Sequence, residues 1–141
     1  MLINLWYVAE WSNTVKDEPV KARLLGRDFV LFRDTNGQVQ CLSDVCLHRG
    51  GSLSGGWTRG DRVACPYHGW QFSGAGKVEF IPSEGKDFKI PDKARIDSYP
   101  VEERYGLIWV FLGDLPEAER FPIPDLPEFD DPVWRMITDE W

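Results

Sequence analysis

Two short stretches decide how this chain is read: Cys46-Leu47-His48-Arg49-Gly50-Gly51-Ser52-Leu53, and after it Cys65-Pro66-Tyr67-His68-Gly69-Trp70-Gln71-Phe72. Each sets a histidine two or three residues after a cysteine, and sixteen residues, Arg49 to Ala64, separate the pairs. Both histidines of the chain lie in these pairs, an arrangement that random scatter would rarely produce. A thiolate and an imidazole so close can approach one metal centre from a single loop, and two such loops complete four ligands. Gly50, Gly51, Gly55 and Gly56 follow the first pair and Gly69 the second. Glycines let backbone N–H groups converge on a negative centre without side-chain obstruction. The same residue types admit a structural zinc ion, or two core cysteines with surface histidines. The order Cys, His, Cys, His departs from the Cys-Cys-His-His order of common zinc fingers, and a zinc protein would be colourless.

Working outward, the composition supports one folded domain. The chain has 141 residues, 43% apolar and 13% aromatic, enough to bury a core. The formal charge of −7 and the absence of a basic cluster leave no footprint for nucleic acid or anionic lipid. The longest run free of polar residues and glycine, Leu107 to Leu112, is far too short to span a bilayer, so no membrane partner is expected. The first residues, Met1 to Tyr7, lack a basic stretch and a small-residue cleavage site. A cytoplasmic location is the default expectation. Three cysteines, an odd number, make a disulfide framework a poor explanation for the paired ones.

The pattern elsewhere is β. Val20 to Leu25, Asp28 to Arg33 and Gln38 to Asp44 read as strands of an antiparallel meander, with Gly26-Arg27 and Asp34 to Gly37 as turns. Arg62 to Cys65, Trp70 to Phe72 and Lys77 to Ile81 form a second set around the turn Ser73 to Gly76, and Tyr105 to Leu112 gives a final strand. No stretch of helical length keeps an apolar period free of Gly and Pro, so the class is all-β with low helix content. Ser83 to Pro100 is charged and reads as a surface excursion. Five prolines between Pro116 and Pro132 forbid ordinary helix or central strand. The organisation expected is therefore a domain over residues 1–114 and a Pro-rich extended arm or linker over 115–141, ending in the apolar stretch Trp134 to Trp141.

The two loop motifs resemble those of Rieske proteins. That resemblance implies antiparallel sheets carrying two cluster-binding loops and one [2Fe–2S] cluster, with Cys46 and Cys65 on a buried iron and His48 and His68 on the iron nearer solvent. Rieske proteins of cytochrome complexes carry an extra cysteine in each loop. Here Gly51 and Tyr67 stand at those places, so no bracing disulfide is expected, and a reduction potential in the lower half of the Rieske range follows. Arg49-Gly50-Gly51, His68-Gly69-Trp70, Trp6 to Ala9, Leu24 to Arg27, Phe32 to Asp34 and Gly106 to Phe111 are similar to the N-terminal domain of ring-hydroxylating non-haem iron oxygenases. That likeness implies three partners: a reductase or ferredoxin as electron donor, a mononuclear iron oxygenase site as acceptor, and a homo-oligomer, a trimer. The acceptor iron needs two His and a carboxylate, and no histidine remains here to supply it. The chain alone therefore has no catalytic residue for oxygen chemistry. It reads as the N-terminal part of an oxygenase α subunit, with a self-standing Rieske ferredoxin-like carrier as the alternative. Cys41 reads as an apolar filler and Trp109 as core; Trp70 and Tyr67 flank His68, Trp70 as packing or a cluster shield and Tyr67 as a residue that shields the cluster from water or donates a hydrogen bond to it.

Overall fold

A computed structural model describes residues 3–135 and 137. Eleven strands run in chain order: β1 Leu5–Trp11, β2 Val20–Leu24, β3 Arg27–Arg33, β4 Val39–Ser43, β5 Trp57–Arg59, β6 Arg62–Ala64, β7 Gln71–Ser73, β8 Val78–Phe80, β9 Ser98–Tyr99, β10 Val101–Arg104 and β11 Leu107–Leu112. They form three antiparallel sheets, ordered β1-β11-β10, β2-β3-β4-β9 and β5-β6-β7-β8. Among the described residues the only helical pieces are three short 3-10 turns, so the all-β expectation holds.

Strand β3 explains how the sheets stack. Its run Phe29-Val30-Leu31-Phe32 is buried at every position, which an alternating half-buried strand would not be. Phe29 and Leu31 enter one core with Cys41, Ile108, Val110 and Leu112. Val30 and Phe32 enter a second core with Leu42, Leu53, Val63, Phe72 and both Cys46 and Cys65. The sheet containing β3 is thus the middle layer. The β1-β11-β10 sheet covers one face, and the β5–β8 sheet with the two motif loops covers the other. Arg33 closes one edge, donating to the carbonyls of Ser12, Val15 and Gly37 and pairing bidentately with Glu103.

Several boundaries differ from the sequence reading. The expected turn at Gly26-Arg27 lies at Leu25-Gly26, with φ of 51° and 79°, and Arg27 already pairs with Leu24. A two-residue turn with both φ positive matches the twist of its flanking strands, and it recruits a leucine into the left-handed region. Tyr105-Gly106 does the same at φ of 60° and 70°, so the last strand begins at Leu107 rather than Tyr105. The end of the charged excursion is not loose surface. Lys77 bridges Arg95, Val78 N–H donates to Ala94 O, and β9 and β10 follow directly.

Trp109 is not core. It stands half-buried on the outer face of β11 and donates its indole N–H to Arg104 O at 3.1 Å. The Pro-rich segment folds back over that face. Trp6 Nε1 donates to Phe121 O, Arg120 lies over the Phe111 ring, Ile123 is buried, and Arg104 pairs with Asp125 at 2.7 Å. Part of the apolar stretch Trp134 to Trp141, including its end, lies outside the described residues.

Candidate metal centre

Each motif forms a loop closed by its own backbone. Cys46 N–H donates to Gly51 O and Gly50 N–H donates back to Cys46 O, both at 2.8 Å. Cys65 N–H donates to Trp70 O at 2.8 Å and Gly69 N–H to Cys65 O at 2.9 Å. The two loops are therefore the same construction made twice. In each, the glycine four residues past the cysteine turns the chain at positive φ, 69° at Gly50 and 73° at Gly69. Gly51 matters for a different reason. A Cβ there would lie 3.2 Å from Cys65 Sγ, so the first loop passes against the sulfur of the second.

The four side chains meet as two pairs. Cys46 and Cys65 are buried, their thiols within hydrogen-bonding reach of each other, and the backbone N–H groups of His48 and Arg49 point at the Cys46 sulfur. Burial, and then the neighbouring Cys65, pushes the Cys46 thiol up to about 11. The free thiol keeps its proton at neutral pH, and metal ligation must displace it. His48 and His68 are exposed, with ring centroids 4.7 Å apart. Desolvation, followed by the charges of His68 and Arg49, lowers the His48 pKa, which favours the neutral, coordinating imidazole. Among the described residues no three His, Cys, Asp or Glu side chains gather as they would around one ion. The arrangement instead offers an inner thiol pair and an outer imidazole pair. That donor set fits a centre of two metals, with soft sulfur ligands for one and nitrogen ligands for the other.

The surroundings sort the remaining candidates. Trp70 lies parallel to His48, centroids 4.7 Å apart and planes within 1°, while its body packs on the second core. Tyr67, 60% exposed, tilts against His68 at 4.0 Å. Trp70 thus serves the histidine of the other loop, where adjacency in sequence had paired it with His68. Cys41 is buried on the opposite face of the middle sheet, and burial pushes its thiol far up. The residue that sequence reasoning missed is Asp44, buried between β4 and the first loop. Nothing local distinguishes it from an ordinary turn aspartate. Only the fold brings Ser52 and Ser54 to it.

Three stacked antiparallel sheets presenting two self-closed Cys/His loops define an iron–sulfur domain. A profile of the Rieske [2Fe-2S] domain matches residues 5–100, and the chain belongs to that family, whose domain binds one [2Fe–2S] cluster. The chain is 40% identical over 129 residues to the 4beta-methylsterol monooxygenase of Methylococcus capsulatus, covering 90% of this chain and 35% of that protein. It is 41% identical over 134 residues to the toluene-4-sulfonate monooxygenase system iron-sulfur subunit TsaM1 of Comamonas testosteroni, covering 94% and 38%. A solved structure of dicamba monooxygenase with non-heme iron and dicamba superposes with a TM-score of 0.80 at 35% identity, over 94% of this chain and 40% of that one. The chain thus spans well under half the length of these relatives, and it is homologous to the Rieske domain of oxygenase components.

Proposed function

We propose that Cys46 and Cys65 through sulfur, and His48 and His68 through nitrogen, hold the [2Fe–2S] cluster, and that the chain passes single electrons to a mononuclear iron oxygenase site outside these residues. The observation that carries this reading is the segregation of donors, buried thiol with thiol and exposed imidazole with imidazole. When bound, such a cluster supplies a one-electron centre between about −150 and +300 mV. The chain's own residues do the rest. The Cys46 and Cys65 thiolates anchor from the core, and the N–H groups of His48 and Arg49 stabilise negative charge at the sulfur. The imidazoles form the edge through which electrons enter and leave. Exposed Val45, Leu47 and Tyr67 frame that edge with apolar surface suited to a docked redox partner.

The partners are a reductase or ferredoxin as donor and the oxygenase iron as acceptor, in a homo-oligomer, a trimer. Residues 1–114 are read as the electron-transfer domain and 115–141 as a Pro-rich arm or linker, its first part packed back against that domain. The absence of any disulfide among Cys41, Cys46 and Cys65 fits the cytoplasm as the compartment. No helix among the described residues is long and apolar enough to cross a membrane. The test is metal and sulfide analysis of the purified protein and of Cys65→Ser and His68→Ala, with a redox titration. Two irons and two sulfides per chain, lost in both variants, with a midpoint in the lower half of the range, are expected. A colourless protein with one zinc refutes the reading.

A further inference from the structure

Asp44 is the one charged side chain buried among the described residues, 4% exposed. It stands just past β4, two residues before Cys46, and its N–H donates to Asp28 O, which pins it to the middle sheet. One carboxylate oxygen accepts the Ser54 N–H at 2.7 Å. The other accepts the Ser52 and Ser54 hydroxyls at 2.6 and 2.7 Å. Residue 44 thereby joins residues 52–54, and residues 45–51, the whole first motif loop, are tied off between them. Leu53, between the two serines, is fully buried in the core that holds both motif cysteines.

The knot has an electrostatic side. The carboxylate only accepts, and no Lys or Arg pairs with it among the described residues. Three donors replace its hydration, which allows a buried charge to persist, but they do not cancel its sign. Reduction of the neighbouring centre adds a further negative charge, and two like charges separated by little water repel.

We infer that Asp44 is a positioning residue for Cys46 and His48, closing the neck of their loop, and that its charge holds down the reduction potential of the centre they bind. This rests on the ligand assignment proposed above.

The cluster-loaded protein is compared with Asp44→Asn, Asp44→Ala and Ser54→Ala, reading iron and sulfide per chain, iron release to a chelator, and midpoint potential. Asp44→Asn keeps the shape, since its oxygen still accepts the Ser54 N–H and the serine hydroxyls can turn to accept from its amide. It should hold iron like the parent while its redox equilibrium moves about tenfold toward the reduced form, about 59 mV upward for one electron. Asp44→Ala opens the neck and should release iron at least about tenfold faster. Ser54→Ala leaves the carboxylate less compensated and should move the potential the other way. A merely structural aspartate predicts no such opposite shifts. Unchanged potentials in Asp44→Asn and Ser54→Ala overturn the electrostatic role, and parental iron retention in Asp44→Ala overturns the positioning role. If Asp44→Asn takes up no iron, Ser54→Ala alone decides the electrostatic role. Failure of the ligand assignment would show separately, as a parent protein without two irons or a Cys65→Ser variant that keeps them.

Discussion

Gly56→Ala gives the sharpest test of how the fold carries the site. Gly56 ends the 3-10 turn after the first loop, is buried, and precedes β5, whose Trp57 pairs with Ala64 of β6. A Cβ on Gly56 would overlap the Ala64 carbonyl oxygen outright and lie 3.1 Å from Leu53 O. These are backbone atoms, so no side chain can rotate away. Relief requires β6 to shift, and β6 leads directly into Cys65. Overpacking of this kind costs about 3 kcal/mol. For a chain of this size that lowers the melting temperature by about 10 °C. Gly50→Ala is the internal control. It sits at φ 69° with nothing near its Cβ, so only the left-handed backbone is penalised, by about 1 kcal/mol or about 3 °C. The assay follows the visible absorbance of the loaded protein during heating, with iron per chain measured beforehand. Gly56→Ala should melt far below Gly50→Ala and carry less iron. If Gly56→Ala melts within about 3 °C of the parent with full iron, β6 does not transmit the clash and the packing argument fails.

Further outcomes follow from other features. Cys41→Ala, on the far face of the middle sheet, should cost about 1 kcal/mol in urea unfolding yet retain all iron and sulfide; loss of metal would contradict its assignment to the other core. Trp70→Leu removes the ring stacked on His48, worth about 1 kcal/mol, and should speed iron release about fivefold, whereas Trp70→Phe should restore much of the parental rate. The hydrogen bond from Arg33 lowers the Glu103 carboxyl below its ordinary value of 4.5. Its stabilisation is present above that value and fades as the pH falls through the lowered one. Glu103→Gln should therefore be less stable at pH 7 and lose less on acidification, read as urea midpoints; parallel pH curves would refute the pairing.

The candidate ligands were legible because their chemistry is written in spacing: two Cys/His pairs with glycines behind them need no tertiary information. The meander was legible too, since Asp34 to Gly37 and the runs around it follow local rules. What stayed hidden depends on distant partners. The returning arm meets Trp6 of β1, and Leu5 to Trp11 shows no clean alternation of buried and exposed positions. Leu25 and Tyr105 occupy turn positions usually given to Asn or Gly, and strand twist overrides that preference. Trp70 reaches His48 across the gap between loops, and Asp44 meets Ser52 and Ser54 where Leu53, between them, is buried in the core.

The doubled loop has a consequence for speed. Because each cysteine is latched by bonds within its own loop, the two sulfurs sit in a frame that would change little with the charge of a centre bound there. When an electron arrives or departs, little in that frame has to rearrange, and fixed dipoles need not be reoriented at the moment of transfer. A small rearrangement lowers the barrier to electron transfer whether the centre proposed above gains the electron or loses it.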